Sequence, residues 1–320
     1  MCINLRKTAK NDRLLLHYNG HGVPRPTING ELWVFGKHYT HYMPIAISEL
    51  RSCLGDPAIY VLDCSGAGAL LPFFIDQPLS PLNSPERPNN RKNNEEFDTK
   101  NNATRNMQFI QSSIDGPIIV LAACRANENL PLSPLYPADI FTACLTTPVV
   151  IALRWFILQN PFSMADVNPD LAENIPGKEN DRKTPRGELN WIFTAITDTI
   201  AWDTLPSNAF QKMFRQDLLV ASLFRNFLLA KRIMKSFNCT PQSWPPLPDS
   251  STHTLWQSWD LAVESCFCNV SNLLKGGIMV ETKNNVLTHL LTHSLTYSLT
   301  HLLTHLLTYS LTYLLSLIGV

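Results

Sequence analysis

Leu14-Leu15-Leu16-His17-Tyr18-Asn19-Gly20-His21-Gly22-Val23-Pro24 and Ala58-Ile59-Tyr60-Val61-Leu62-Asp63-Cys64-Ser65-Gly66-Ala67-Gly68 decide how this chain is read. In each, a short apolar run ends in a glycine-bearing turn, the pattern of a strand handing its last residues to a loop. The first strand delivers His21 and the second delivers Cys64. In an open parallel sheet, sites are built at that C-terminal edge. A cysteine becomes a useful nucleophile near neutral pH when a neighbouring base takes its proton, and histidine is the usual partner. A third run, Pro117-Ile118-Ile119-Val120-Leu121-Ala122-Ala123, is continuously apolar, as a strand buried on both faces should be.

Outward from these strands, Ile3 to Lys10 reads as the end of a helix feeding the first strand. Glu31 to Phe35 reads as a short strand, and Ala46 to Leu54 as a helix stopped at Gly55. From Gln77 to about Arg105 the composition changes to prolines followed by asparagines and charges. Too little apolar surface is available there to offset chain ordering, so the segment is expected to be a disordered insertion. Beyond Ala138 the period becomes helical: Ile140 to Leu145, Val149 to Leu158, Glu188 to Trp202, Ala209 to Phe237 and His253 to Leu274. A proline-rich linker, Cys239 to Asp249, separates the last two. The fold class is α/β, a mostly parallel sheet flanked by helices, followed by an α-helical segment that begins a solenoid.

Lysine plus arginine equals aspartate plus glutamate, 26 against 26. This balance gives no footprint for nucleic acid or an anionic membrane surface. The 8 cysteines are scattered without a CxxC pair, and Cys266-Phe267-Cys268 is too tight for a usual zinc site. Free thiols in a reducing compartment are expected, with no metal and no cofactor. The N-terminus lacks the apolar core of a signal peptide, so the expected location is cytoplasmic. From Leu287 the chain repeats Leu-Thr-(His or Tyr)-(Leu or Ser), a four-residue period that fits no standard helix. It reads as a translated four-base repeat. The alternatives are a membrane helix near Leu302 to Val320 and metal binding by the pairs His289/His293 and His301/His305.

Cys64 follows His21 by 43 residues, and caspase-type hydrolases place their histidine roughly 50 residues before the cysteine. In such a site the histidine accepts the thiol proton, and backbone N–H groups, including that of the glycine after the histidine, hold the oxyanion. Ala122-Ala123-Cys124-Arg125 superficially resembles a caspase cysteine motif but lies too far from His21, so Cys124 is read as structural. His17 is read as a core or hydrogen-bonded histidine, and His38 and His41 as surface residues of an aromatic turn.

The strings around the pair are more specific than its spacing. His17 to Thr27, Asn29 to Phe35 and Asp63-Cys64-Ser65 closely resemble the Raptor family, regulatory partners of the target-of-rapamycin kinase. So do Leu145 to Pro148, Ala152 to Phe156 and Ile175-Pro176-Gly177, and most of all Gly187 to Trp202 and Phe214 to Phe227. The resemblance covers roughly residues 1 to 275 apart from the insertion. It implies an N-terminal caspase-like domain followed by a helical solenoid and a β-propeller. It also implies a scaffold in nutrient-dependent growth signalling that binds the kinase and recruits its protein substrates. The family's His-Cys pair falls on His21 and Cys64, where the resemblance implies a vestigial dyad. The rival reading is a caspase-like cysteine peptidase using His21 as base and Cys64 as nucleophile.

The expected partition is 1–76 and 107–160 for a partial caspase-like domain, 77–106 for the insertion, 161–275 for the helical region and 276–320 for the repeat tail. The chain starts just before its first long strand and stops before most of the implied solenoid. It therefore reads as a fragment with an unpaired sheet edge, expected to be poorly soluble. A sharp two-state thermal melt of a monodisperse sample is the result that would refute this expectation.

Overall fold

The structure, a computed structural model, describes residues 2–36, 41–75, 116–165 and 167–276. All of the expected insertion, and the repeat tail beyond Gly276 with its histidine pairs and the span near Leu302, lie outside the described residues. The chain divides into two compact units, the first formed by Met1–Ala152 and Thr197–His253, the second by Leu153–Ile196 and Thr254 onward.

The first unit is built on a four-stranded sheet. Helix α1 (Cys2–Ala9) leads into β1 (Leu14–Asn19). A two-stranded antiparallel ribbon, β2 (Glu31–Phe35) and β3 (Tyr42–Ala46), leads into α2 (Ile47–Leu54). Strand β4 (Ala58–Asp63) runs parallel to β1, and β5 (Ile118–Ala122) runs parallel to β4. The sheet order is β1-β4-β5-β6, and β6 (Gln242–Trp244) is antiparallel to β5. Every residue of β4 and β5 is buried, as their unbroken apolar runs require when both faces are covered. The alternating burial of β1 fits its place at the border of the sheet.

Two strands were not expected. β3 contains Pro44, paired in register with Trp33. A proline is tolerated there because the ribbon has two strands, so each has a free edge. β6 lies inside the segment read as a linker. It has three residues between Pro241 and Pro245, too few to show an alternating pattern.

Helices α3 (Ile140–Thr146) and α4 (Pro148–Gln159) follow the sheet. The continuous helix expected from Ala209 to Phe237 is two helices, α6 (Ser207–Phe214) and α7 (Leu218–Lys235). Asp217 makes the break. Its backbone is extended, and its carboxylate accepts the N–H groups of Leu219 (2.8 Å) and Val220 (3.2 Å), an N-cap inside an apolar run. Losing such a cap costs about 1 kcal/mol. Asp217→Ala is therefore expected to lower stability by about that amount and Asp217→Asn by much less, as read from denaturant midpoints. Phe141 on α3 and Phe227 on α7 meet edge to face at 6.1 Å, and Asn226 donates to the carbonyl of Leu145 at 2.7 Å.

Helix α5 (Pro185–Thr204), whose residues up to Ile196 belong to the second unit, begins three residues before the predicted Glu188. Thr184 accepts the N–H of Gly187 at 3.3 Å, and Pro185 takes the first helical position, where its missing N–H is no loss. Phe193 on α5 packs edge to face on the fully buried Trp259 of α8 (Leu255–Gly276), 5.5 Å between centroids. Parallel-dominated sheet and following helices thus agree with the expected fold class.

Candidate functional site at the C-terminal edge of the sheet

Strand register decides what meets at this edge. Asn19 is level with Asp63, and Leu62 with Ala122. The ladder runs one step further: Gly20 N–H donates to the carbonyl of Asp63 at 2.8 Å, and Ala123 N–H to that of Leu62 at 3.0 Å. Gly20, Cys64 and Cys124 therefore form one row across β1, β4 and β5, while Asn19, Asp63 and Ala123 form the row before it. Because strand side chains alternate, the two rows serve opposite faces of the sheet.

On the first face, Gly20 leaves room for the cysteine. A Cβ at position 20 would lie 2.9 Å from the Cβ of Cys64 and 2.4 Å from the Tyr18 ring, which is tied by its hydroxyl to the carbonyl of Trp33 at 2.6 Å. Gly20→Ala is accordingly expected to cost about 1–3 kcal/mol through overpacking. A thermal melt within error of the parent would contradict that close packing. Cys64 itself is 1% exposed. Burial, with smaller contributions from Cys124 and Asp63, pushes its thiol up to about 12. His21 stands at the turn after β1, half-buried, with its backbone N–H donating to Asn19 Oδ1 at 3.4 Å. Its Nδ1 is buried without a hydrogen-bond partner among the described residues, so it does not hold the Cys64 proton. Gly22 sits at φ +82° with open space where a Cβ would stand. The predicted pair thus comes to one edge, but the thiol is protonated and no hydrogen bond from Nδ1 engages it.

The turn after Cys64 is held by the loop after β5. Gly66 N–H donates to the carbonyl of Glu128 at 2.9 Å and approaches Cys124 Sγ at 3.2 Å, and Ser65 Oγ accepts the N–H of Leu130 at 3.0 Å. The Glu128 carboxylate accepts the N–H groups of Arg125 (2.9 Å) and Thr240 (2.7 Å) and the hydroxyl of Thr240 (3.1 Å). Arg25, from the loop after β1, donates to Asn129 Oδ1 through Nε (3.0 Å) and Nη2 (2.6 Å). Cys124 is fully buried with a raised thiol, chiefly through burial, in keeping with a structural role. Glu128, Asn129 and Arg25 escaped the sequence reading, because polar loop residues carry no periodic signal. The available clue was that Leu62-Asp63-Cys64 and Ala122-Ala123-Cys124 both end apolar strands.

On the opposite face, Asp63 is completely buried, and its Oδ2 accepts both the N–H (3.0 Å) and the hydroxyl of Thr142 on α3. The proton of that hydroxyl is thereby committed, so His17 Nε2, 3.0 Å from Thr142 Oγ1, is the donor to it. Asn19 donates to Asp139 at 2.9 Å. Burial raises the Asp63 carboxyl against the two Thr142 bonds, and its Oδ1 has no partner among the described residues. His17 is a hydrogen-bonded histidine at the sheet border. His41 lies just before β3, and His38 falls outside the described residues. Among the described residues no group of three or more His, Cys, Asp or Glu could hold a metal ion.

Residues 1–74 match the family described as the Raptor N-terminal CASPase like domain. The chain carries the N-terminal caspase-like region of the Raptor family. It is 46% identical over 288 residues to the target of rapamycin complex 1 subunit mip1 of Schizosaccharomyces pombe, covering 89% of this chain and 21% of that protein. It is 50% identical over 275 residues to regulatory-associated protein of TOR 2 of Oryza sativa subsp. japonica, covering 86% and 18%. The crystal structure of Chaetomium thermophilum Raptor superposes with a TM-score of 0.68 at 47% identity, over 83% of this chain and 23% of that one. The chain therefore spans about a fifth of the length of these Raptor relatives.

Proposed function

We propose that this chain is part of a Raptor-type scaffold subunit of target of rapamycin complex 1, binding the kinase and recruiting its protein substrates. The reading rests on one observation: 46% and 50% identity, across most of this chain, to proteins named as a subunit of that complex and as a regulatory-associated protein of TOR. On this reading residues 1–76 and 107–160 belong to the caspase-like domain, and 161–275 lead into the solenoid. The His21–Cys64 dyad is a retained feature of the fold without catalysis, which the buried, proton-bearing Cys64 supports. The proposed location is the cytoplasm; among the described residues no helix is long and apolar enough to cross a membrane.

The test is co-purification with the kinase from cells expressing the tagged chain. Recovery of the kinase without peptide hydrolysis is the expected result, and failure to recover it under conditions that retain a longer relative would refute the reading. A second reading, a caspase-like cysteine peptidase, is favoured by the register that brings the His21 turn and Cys64 to one edge. It requires stoichiometric labelling by an activity-based thiol probe, lost in Cys64→Ser, together with hydrolysis.

A further inference from the structure

Among the described residues, four Ser/Thr-Pro steps occur: Ser133-Pro134, Thr147-Pro148, Thr184-Pro185 and Thr240-Pro241. Three of their hydroxyls are committed as donors. Thr147 donates to the carbonyl of Ala143 at 3.1 Å at the end of α3, Thr184 to that of Asp181 at 2.7 Å beside the start of α5, and Thr240 to the Glu128 carboxylate at 3.1 Å. Ser133 differs. Its Oγ accepts the N–H of Leu135 at 3.3 Å, and among the described residues no acceptor takes its own proton.

The segment around Ser133 also suits an enzyme that must draw it into a cleft. Leu130-Pro131-Leu132-Ser133-Pro134-Leu135-Tyr136-Pro137 lies in the long loop between β5 and α3. Leu132 is 85% and Leu135 54% exposed. The turn over the half-buried Ser133 includes two contacts of 3.3 Å, from Leu135 N–H to Oγ and from Tyr136 N–H to the Ser133 carbonyl, both weak by length, while the Tyr136 ring anchors its far end edge to face on Phe237, 5.1 Å between centroids. Pro131 and Pro137 bias the residues before them toward extended backbone. Pro134 brings no N–H into a cleft, so an apolar pocket can hold it without orphaning a donor.

We propose that Ser133 is a phosphoacceptor for a proline-directed protein kinase. In that step Ser133 Oγ attacks the γ-phosphorus of Mg-ATP, its proton passes to the kinase's catalytic carboxylate, and the bond to the β–γ bridging oxygen breaks to release ADP. The product places a charge of about −1.5 to −2 between two exposed leucines. The loop thereby changes from an apolar surface to an anionic one. The inference is independent of the scaffold reading, since it rests on the hydroxyl geometry, the exposure and the backbone of this loop.

The experiment is incubation of the purified chain with Mg-ATP and an active proline-directed kinase, followed by site-resolved mass spectrometry. A synthetic Leu130–Asp139 peptide serves as the unfolded reference. Expected is phosphate at Ser133 at no less than tenfold the occupancy of Thr147, Thr184 or Thr240, abolished in Ser133→Ala and reduced tenfold in Pro134→Ala. Phosphorylation of the peptide but not of the folded chain would overturn the proposal. So would equal occupancy at the three committed threonines, or indifference to Pro134→Ala.

Discussion

Cys64 is expected to resist alkylation in the folded protein at neutral pH, reacting about a thousandfold more slowly than an ordinary thiol. The thiolate is the reactive species, and burial pushes this thiol up to about 12, leaving roughly one molecule in 10⁵ ionised at pH 7. The sign is opposite to that of a working nucleophile, whose thiol is brought down by a base or a positive neighbour. His21 does not supply that base through Nδ1, which has no hydrogen-bond partner among the described residues. Replacing His21 with alanine should therefore leave the Cys64 rate unchanged. As pH rises from 7 to 9 the rate should climb about tenfold per unit, because the thiol is still far from half-ionised. The protein contains its own reference, since Cys268 is exposed. Timed iodoacetamide labelling read by peptide mass spectrometry should show Cys268 modified early and Cys64 only after denaturant is added. Equal native rates for the two would revive the peptidase reading.

Arg6→Ala should be among the most damaging single substitutions in the first unit. The guanidinium carries five N–H donors, and all five find backbone carbonyls. Nε donates to Leu54, Nη1 to Lys10 (3.1 Å) and Asp12 (2.9 Å), and Nη2 to Gly55 (3.2 Å) and Pro57 (2.8 Å). One side chain thus ties the end of α1, the end of α2 and the entry to β4. Bonds from a charged donor are worth about 1.5–3 kcal/mol each, discounted where water can replace them. A net loss of about 3 kcal/mol is expected, a fall in Tm of about 6–12 °C for a unit of this size. Arg6→Lys should recover little, since an ammonium is a point donor that cannot span five acceptors. A differential scanning measurement placing Arg6→Ala within about 0.5 kcal/mol of the parent would show the knot to be dispensable.

Much of this fold was legible from the chain. The apolar runs at Leu14, Ala58 and Ile118 are strands because their length and continuity suit buried parallel pairing, and the His21 and Cys64 turns fall at the edge where such strands end. Illegible were the features set by single polar contacts or very short elements. Asp217 interrupts an otherwise unbroken helical pattern through one carboxylate, and β6 is recognisable only beside β5. The chemical state of Cys64 was illegible for a different reason: spacing brings a histidine and a cysteine to one edge but does not report how deeply the thiol is buried. Asp63, whose buried carboxylate ties β4 to α3, gave no sign in sequence beyond standing next to that cysteine.

The two borders of the sheet differ in how they meet other chains. β6 offers three residues between Pro241 and Pro245, and prolines cannot donate to an added strand, so that border is a poor template for further pairing. β1 is twice as long, free of proline, and carries Leu15 at 44% exposure. Among the described residues no strand lies beyond it. Growth of this sheet by a further strand, whether from the same polypeptide or another, is thereby directed to one side, away from the prolines and along the strand that ends at His21.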